Sequence, residues 1–384
     1  MLHQNSVFHC VLKQVPWHRL SRLVDEHGSD KHVRALTTKS QLIALIYAQL
    51  SGSQSLREIE AALESHAAKL YHLGGARVSR STLSDANAQR PWQVFSGLFA
   101  HLTGQAVRGL RRRTSEAVHL IDATGLRLSA LSDDWAQFST GVCGAKMHVI
   151  YDPDAGCPIY AAVTPANVND ITAAKAMPIE PGATYVFDLG YYDYGFWAKL
   201  DAADCRIVTR LKVNTKLTAV AESAVAKGSN ILSDRIGHLP RRMARGRNNP
   251  FYNPVREVRV RIATGKVIRL LTNDLDAPAA QIAELYKRRW QIELFFRWVK
   301  QTLKIKHFLG RSENAVRIQI AVALIAFLLL RLAHAAQRAV HSLLGFTRLV
   351  RANLLHRRPI DRLLDPPHPI IKDQRQLSLD LCQI

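Results

Sequence analysis

The sequence predicts an α/β chain, with a mixed-sheet core set between helical ends. Apolar runs across 117–212 follow the order β-β-β-α-β-α-β, which builds a sheet with crossover helices. Residues 1–105 and 278–356 instead carry their apolar positions at helical spacing. The chain has 384 residues, 47% hydrophobic and 22% charged, so it can bury a large core without staples. Its five cysteines (Cys10, Cys143, Cys157, Cys205, Cys382) are scattered, odd in number and form no CxxC pair. That argues against a disulfide framework and a structural zinc site, and the sixteen histidines show no HxH or HExxH spacing. The opening MLHQNSVFHC lacks a basic segment followed by an apolar stretch, so no signal peptide is expected.

Taken in order, 38–50 (TKSQLIALIYAQL) reads as a helix broken by SGSQ at 51–54. Ser55 with Glu58 three residues on has capping-box spacing and opens a second helix, which Gly74 and Gly75 end. A short third helix fits 79–90. This run is compatible with a helix-turn-helix reader and equally with a plain bundle. After Arg111-Arg112-Arg113 the pattern turns to strands: 117–125, then 146–152 and 158–166 joined by the turn-forming PDAG. A short helix at 170–177, a strand at 183–190, a helix at 195–203 and a strand at 205–212 complete the core. Residues 213–250 are weakly patterned, with RRMARGRNNP as a loop, and two strand-like runs follow at 253–263 and 265–273. Long helices are expected at 278–303, 314–340 and 343–356, and the proline-bearing tail at 359–384 is expected to be extended. Arg317 and Arg331 bound the apolar run at 320–330, which falls short of the roughly 20 residues a bilayer requires and reads as a buried core helix. The implied organisation is a helical N-terminal domain over 1–105, a core over 115–212 plus 276–310, a basic β-rich insertion over 213–275 and a helical C-terminal region over 311–384.

Charge points to a partner. Residues 206–270 and 281–360 each hold fifteen Lys and Arg against three acids, a net of +12 apiece in a chain of +21. The remainder is close to neutral. Basicity concentrated in two stretches favours a surface that neutralises phosphates over an evenly solvated one.

Three acids stand out. Asp122 lies inside an apolar strand (LIDAT), where a carboxylate costs several kcal/mol unless it is paired or holds a metal. Asp188 ends the VFDLG strand in the same manner, and two such carboxylates could share a divalent cation. On the long helix, Tyr286, Arg289, Glu293, Arg297 and Lys300 fall within an arc of about 80° at 100° per residue. Ile292, Phe295 and Val299 face the other way, toward the sheet. A lone carboxylate among a tyrosine and three cations reads as a metal ligand flanked by phosphate-holding groups.

The spacing Tyr286-x2-Arg289-x3-Glu293-x6-Lys300, with Asp122 in IDATG and Asp188 in DLGYYDYGFW, resembles the YREK signature of the insertion sequence family 4 transposases. The resemblance covers 117–310 and implies a ribonuclease-H-like mixed-sheet catalytic core interrupted by a β-rich insertion, with an all-helical N-terminal domain and a helical C-terminal region. It implies that Asp122, Asp188 and Glu293 are the catalytic metal ligands for two Mg²⁺ ions (Mn²⁺ able to substitute) and that Tyr286, Arg289 and Lys300 hold DNA phosphates. Arg297 shares their face without belonging to the signature. The implied activity is cut-and-paste transposition on double-stranded DNA: cleavage at the element's terminal inverted repeats, a hairpin step, and strand transfer to target DNA. A homodimer would hold the two ends, and the resemblance places the protein in the bacterial cytoplasm at the nucleoid, with no membrane partner. The rival readings are a DNA-binding protein that has lost catalysis and a metal-dependent nuclease on the same core; terminal inverted repeats flanking the coding region would separate the transposase from both.

Other acids read as structural. Asp133, Asp134, Asp152 and Asp154 fit turns, Asp170 fits a helix N-cap, and Asp193 is a lesser rival to Asp188 beyond the strand. Lys146 either approaches DNA from the second core strand or only edges the sheet.

Overall fold

The computed structural model describes residues 5–111, 116–242, 247–305 and 307–365. Seven helices open the chain: α1 (Val7–Leu12), α2 (Trp17–Glu26), α3 (Thr38–Ser51), α4 (Leu56–Ser65), α5 (Ala67–Leu73), α6 (Arg80–Gln89) and α7 (Trp92–Leu110). Short polar side chains start α1, α3, α4 and α6, whereas α2, α5 and α7 have no side-chain cap among the described residues. Thr37 accepts from the Ser40 amide at α3, and Ser79 accepts from Thr82 at α6. Ser55 accepts from the Glu58 amide at 3.1 Å, but the returning Glu58 carboxylate takes the Gln54 amide at 2.7 Å, one residue earlier than an ideal capping box. The single helix expected after Ser55 is two, parted at His66. Gly74 ends α5 with φ +69°, a left-handed turn that glycine adopts without strain.

The sheet follows. It comprises β1 (Val118–Arg127), β2 (Gln137–Ser139, after the one-turn helix α8, Asp133–Ala136), β3 (Val142–Asp152), β4 (Cys157–Pro165), β5 (Thr184–Val186) and β6 (Arg206–Arg210), with α9 (Asp170–Lys175) and α10 (Tyr194–Asp201) as crossovers. β4, β3 and β1 are antiparallel neighbours, and β1, β5 and β6 run parallel. An antiparallel arm and a parallel arm thus meet on β1, the ribonuclease-H-like arrangement. β5 is shorter than its apolar run because the chain leaves the ladder at Phe187 and turns at Asp188, which caps a 3₁₀ turn over Leu189–Tyr191.

The stretch 213–275 is strand-rich, and its strands extend the core sheet. β10 (Val267–Thr272) is hydrogen-bonded to β6, and β9 (Val255–Arg261), β8 (Ile231–His238) and β7 (Thr218–Ser223) continue outward into one ten-stranded sheet. Of the RRMARGRNNP loop, residues 243–246 lie outside the described residues.

Four helices close the chain: α11 (Ala279–Arg288), α12 (Trp290–Thr302), α13 (Glu313–Ala335) and α14 (Leu343–Ala352). The helix expected to run unbroken over 278–303 is interrupted at Arg289. The Arg289 amide bonds the Tyr286 carbonyl, and Ile292 bonds the Arg289 carbonyl, both three residues apart, so one turn is tightened. α13 has 23 residues, longer than the apolar run alone, and is long and apolar enough to cross a membrane. Its sides are nevertheless almost wholly buried, with Arg317 stacked on Trp92 and Arg331 donating to the Ala155 carbonyl. Residues 360–362 form a 3₁₀ turn, and the remainder of the expected extended tail lies outside the described residues.

Strand alternation assigns the two faces. Leu120, Leu126, Met147, Val149 and Val186 join the core of α12 and α13, whereas Ile121, Ile150, Tyr185 and Phe187 pack with α9 and α10. The hairpin between β3 and β4 is tied down by three arginines. Arg111 holds the fully buried Asp152 Oδ2 through Nε at 2.7 Å and a terminal nitrogen at 2.6 Å, Arg288 pairs with Asp154 at 2.6 Å, and Arg331 takes Ala155. Asp152 Oδ1 accepts the amides of Asp154 and Ala155, the turn role expected of it. Removing the arginine leaves a buried, uncompensated carboxylate. Arg111→Ala is therefore expected to cost about 3–5 kcal/mol in denaturant unfolding; a loss below about 1 kcal/mol would show that Asp152 does not depend on it.

Candidate active site

β1 and β5 set the first two acids side by side. Their parallel register pairs Val118 with Thr184 and Leu120 with Val186. Leu120 and Val186 each stand two residues before an acid, and the Asp188 charge acts on the Asp122 carboxyl. Both lie in line with residues that point toward α12 and α13. Asp122 Oδ1 accepts its neighbour Ala123's amide at 2.8 Å, and Asp188 Oδ1 accepts the Gly190 amide at 2.8 Å. The Asp188 carbonyl also takes the Thr209 hydroxyl of β6 at 3.4 Å.

The third acid comes from α12, anchored by Ile292, Phe295, Phe296 and Val299. Phe295 lies 5.1 Å from the Tyr151 ring of β3 and 5.0 Å from the Phe327 ring of α13. Arg289, at the tightened turn, joins the acids: its guanidinium is 2.6 Å from Glu293 Oε1 and 3.5 Å from Asp122 Oδ2. It also lies 5.9 Å from the Tyr286 ring centre. Burial pushes the Tyr286 phenol up, opposed by Arg289 and Arg210.

Burial raises the Asp122 carboxyl from an ordinary 3.8 to about 6; Asp188 and Glu293 add to the rise, while the Ala123 amide and Arg289 oppose it. Loss of hydration is the main cause and the neighbouring carboxylates a smaller one; an all-oxygen carboxylate set of this kind suits a hard divalent cation. As the side chains stand, among the described residues no three His, Cys, Asp or Glu groups are close enough to enclose a metal ion. The Arg289 guanidinium supplies positive charge between Asp122 and Glu293 instead.

Of the sequence-predicted residues, Asp122, Asp188, Tyr286, Arg289 and Glu293 are brought together. Lys300 is half-buried on α12, seven residues or about 10 Å along the axis from Glu293. Arg297 is exposed and leans 6.0 Å over the Trp290 ring. Asp193 caps α10 through the Phe196 amide and pairs with Lys175, away from the metal role. Two readings change. The N-cap of α9 is Asn169, while Asp170 sits in the first helical turn and pairs with Lys146 at 2.9 Å. Asp154 pairs with Arg288 and so holds the residue preceding Arg289, a link for which sequence spacing gives no signal because the partners are 134 positions apart.

Because the folded chain binds the Asp122 proton more tightly than the unfolded chain does, ionising this group works against folding. The penalty is absent below pH 4, grows between 4 and 6, and is complete above the folded value of about 6. Asp122→Asn should therefore stabilise the metal-free protein by about 1–3 kcal/mol at pH 7.5 and by nothing near pH 4. Thermal melts of both proteins across that range check it; a constant offset would show that the carboxylate carries no such penalty.

The Transposase DDE domain family matches residues 113–329, spanning all three acids, and a domain of unknown function, DUF4372, matches 3–76. The protein y4zB of Sinorhizobium fredii, named as a transposase, is 44% identical over 285 residues, covering 74% of this chain and 80% of that one. A Geobacillus stearothermophilus protein named as a transposase for insertion sequence element IS5377 is 28% identical, covering 75% and 76%. Among solved structures, a piggyBac transposase synaptic complex with hairpin DNA aligns at TM-score 0.48 and 12% identity, covering 94% of this chain and 82% of that one. By the breadth of the family match and the identity to its relatives, this chain belongs to the DDE transposases.

Proposed function

We propose that this DNA transposase moves its own insertion sequence by cutting at terminal inverted repeats and joining the freed ends to target DNA, with Asp122, Asp188 and Glu293 as its catalytic carboxylates. One observation carries the reading: Arg289 touches both Asp122 and Glu293, so residues far apart in sequence meet beside Asp188 on one face of the sheet.

The three carboxylates would hold two Mg²⁺ ions, with Mn²⁺ able to substitute. Divalent cations bound there would polarise the phosphoryl group and assist both the attacking and the leaving oxygen. The chain's own groups do the positioning. Arg289, relieved of its two carboxylates, can turn its planar fork to a phosphate. Tyr286 presents a phenol kept neutral by burial, and Lys300 offers a point charge further along α12. Arg297 extends that cationic side with its stem against Trp290. Water would attack first at the element end and release its 3′-hydroxyl. That hydroxyl would attack the opposite strand, closing a hairpin and freeing the flanking DNA. A second water would reopen the hairpin, and the regenerated 3′-hydroxyl would attack a target phosphodiester, displacing a target 3′-hydroxyl. The helical segment 1–105 would help to grip DNA ends, and the region after 311 would join two copies so that both ends are cut in one assembly.

Glu293→Gln should abolish Mg²⁺-dependent cleavage of a duplex carrying the terminal repeat while leaving end binding near normal. Retained cleavage would remove Glu293 from the metal set. In a separate titration, Lys300→Ala should weaken end binding and flatten the plot of log affinity against log salt by about one unit; an unchanged slope would remove Lys300 from the phosphate contacts.

A further inference from the structure

Beyond Asp122 the outer face of β1 is bare. Ala123 is half-buried, Gly125 is exposed, and a side-chain carbon added at Gly125 would meet nothing within 4 Å among the described residues. Arg127, also exposed, follows on the same face two residues on. Lys146 stands across from Gly125 on β3, half-buried. Its ammonium group is held by Asp170 Oδ1 at 2.9 Å and by the Val168 carbonyl at 3.0 Å. Asp170 in turn adjoins the catalytic carboxylates around the open end of β5: a side-chain carbon placed on Gly190 would lie 3.0 Å from Asp188 Oδ1 and 3.8 Å from Asp170 Oδ2. The buried Tyr191 phenol, whose hydroxyl has no hydrogen-bond partner among the described residues, is pushed up by burial and by the charges of Asp122, Asp170 and Asp188 together. The strip therefore begins at the acids and runs away from them along β1, on the face of the sheet opposite Arg289.

We propose that this strip of β1 is a seat for the sugar–phosphate backbone of a DNA strand, with Lys146 as its phosphate-holding cation and Asp170 as the residue that keeps Lys146 in place until DNA arrives. A floor of alanine and glycine lets a backbone come close, which bulkier residues would prevent. Arg127 supplies a second cation about 7 Å further along the strand. The seat mirrors the other flank of the site, where Arg289 waits on Glu293 and Asp122. It rests on the reading of the chain as a DNA-cutting enzyme and adds to it a path for DNA that the signature residues do not include.

The test is binding of a duplex carrying the element's end to the full chain, in chelator and over a range of salt, for wild type and three variants. Lys146→Met should weaken binding about three- to tenfold and lower the salt slope by about one unit. Asp170→Asn should act in the opposite sense and tighten binding, since it frees Lys146 and removes a negative charge; a purely structural pair would lose affinity in both variants. Gly125→Val suits a strand and has open space, so it should melt as wild type does yet bind DNA less well. Wild type that binds with a steep salt slope, alongside three variants indistinguishable from it, overturns the seat. Wild type that does not bind DNA at all overturns the functional reading on which the seat rests.

Discussion

The site depends on one guanidinium. Three carboxylates gathered beneath an apolar core repel one another, and each loses hydration as the fold closes. Arg289 supplies positive charge within 2.6 Å of Glu293 and 3.5 Å of Asp122. It can do so because α12 is anchored by four apolar residues and because Asp154 fixes Arg288 immediately before it. The pull is incomplete, and Asp122 keeps a carboxyl raised to about 6. On the proposed reading, such a site spends stability in the resting chain to hold acids where a cation would bind, a trade that function commonly imposes on folding.

The acids are legible in the sequence because of where they sit. Asp122 in LIDAT and Asp188 in VFDLG each interrupt an apolar run, where an unpaired carboxylate is costly, whereas the direction each side chain takes follows only from the strand pairing in the fold. The helical period places Tyr286, Arg289 and Glu293 on one face, and they do meet, even though the helix tightens at Arg289. That tightening has no proline or glycine to announce it. It coincides with contacts to Asp154 and Asp122, partners from strands distant in sequence. β7 went unread for a different reason: all six of its residues are exposed, so no face is apolar and no alternation appears. Asn169 and Asp170 are both good caps, so the sequence does not choose between them, and only the backbone shows that Asn169 occupies the position.

The charge reading needs refining by what the sheet consumes. In 206–270 the three acids are all paired with arginines on β8, β9 and β10: Glu222 with Arg235, Asp234 with Arg256, and Glu257 with Arg269. The Asp234–Arg256 pair is buried, and so is the Glu257 carboxylate. These arginines serve the sheet, since a buried carboxylate without its partner is costly. The net surplus of +12 in that stretch therefore falls to the remaining lysines and arginines, and polyanion attraction should be sought among them rather than along the whole run.

The two flanks of the acids share a logic. A polyanion approaching three carboxylates is repelled unless cations lie in between, yet a cation left unpaired beside a core pays its own desolvation. On the proposed reading, the chain answers both demands with pairs that DNA can exchange, Arg289 with Glu293 on one side and Lys146 with Asp170 on the other. Each cation is already in place, so little conformational freedom is lost when a phosphate replaces the carboxylate. Each carboxylate, once released, increases the negative charge around Asp122 and Asp188. DNA arriving on either flank would thereby strengthen the field that draws divalent cations to the centre, and cations at the centre would in turn weaken the hold of the carboxylates on Arg289 and Lys146. Binding of the two would be mutually reinforcing through charge alone, because every group involved is either a member of these pairs or one of the acids they border.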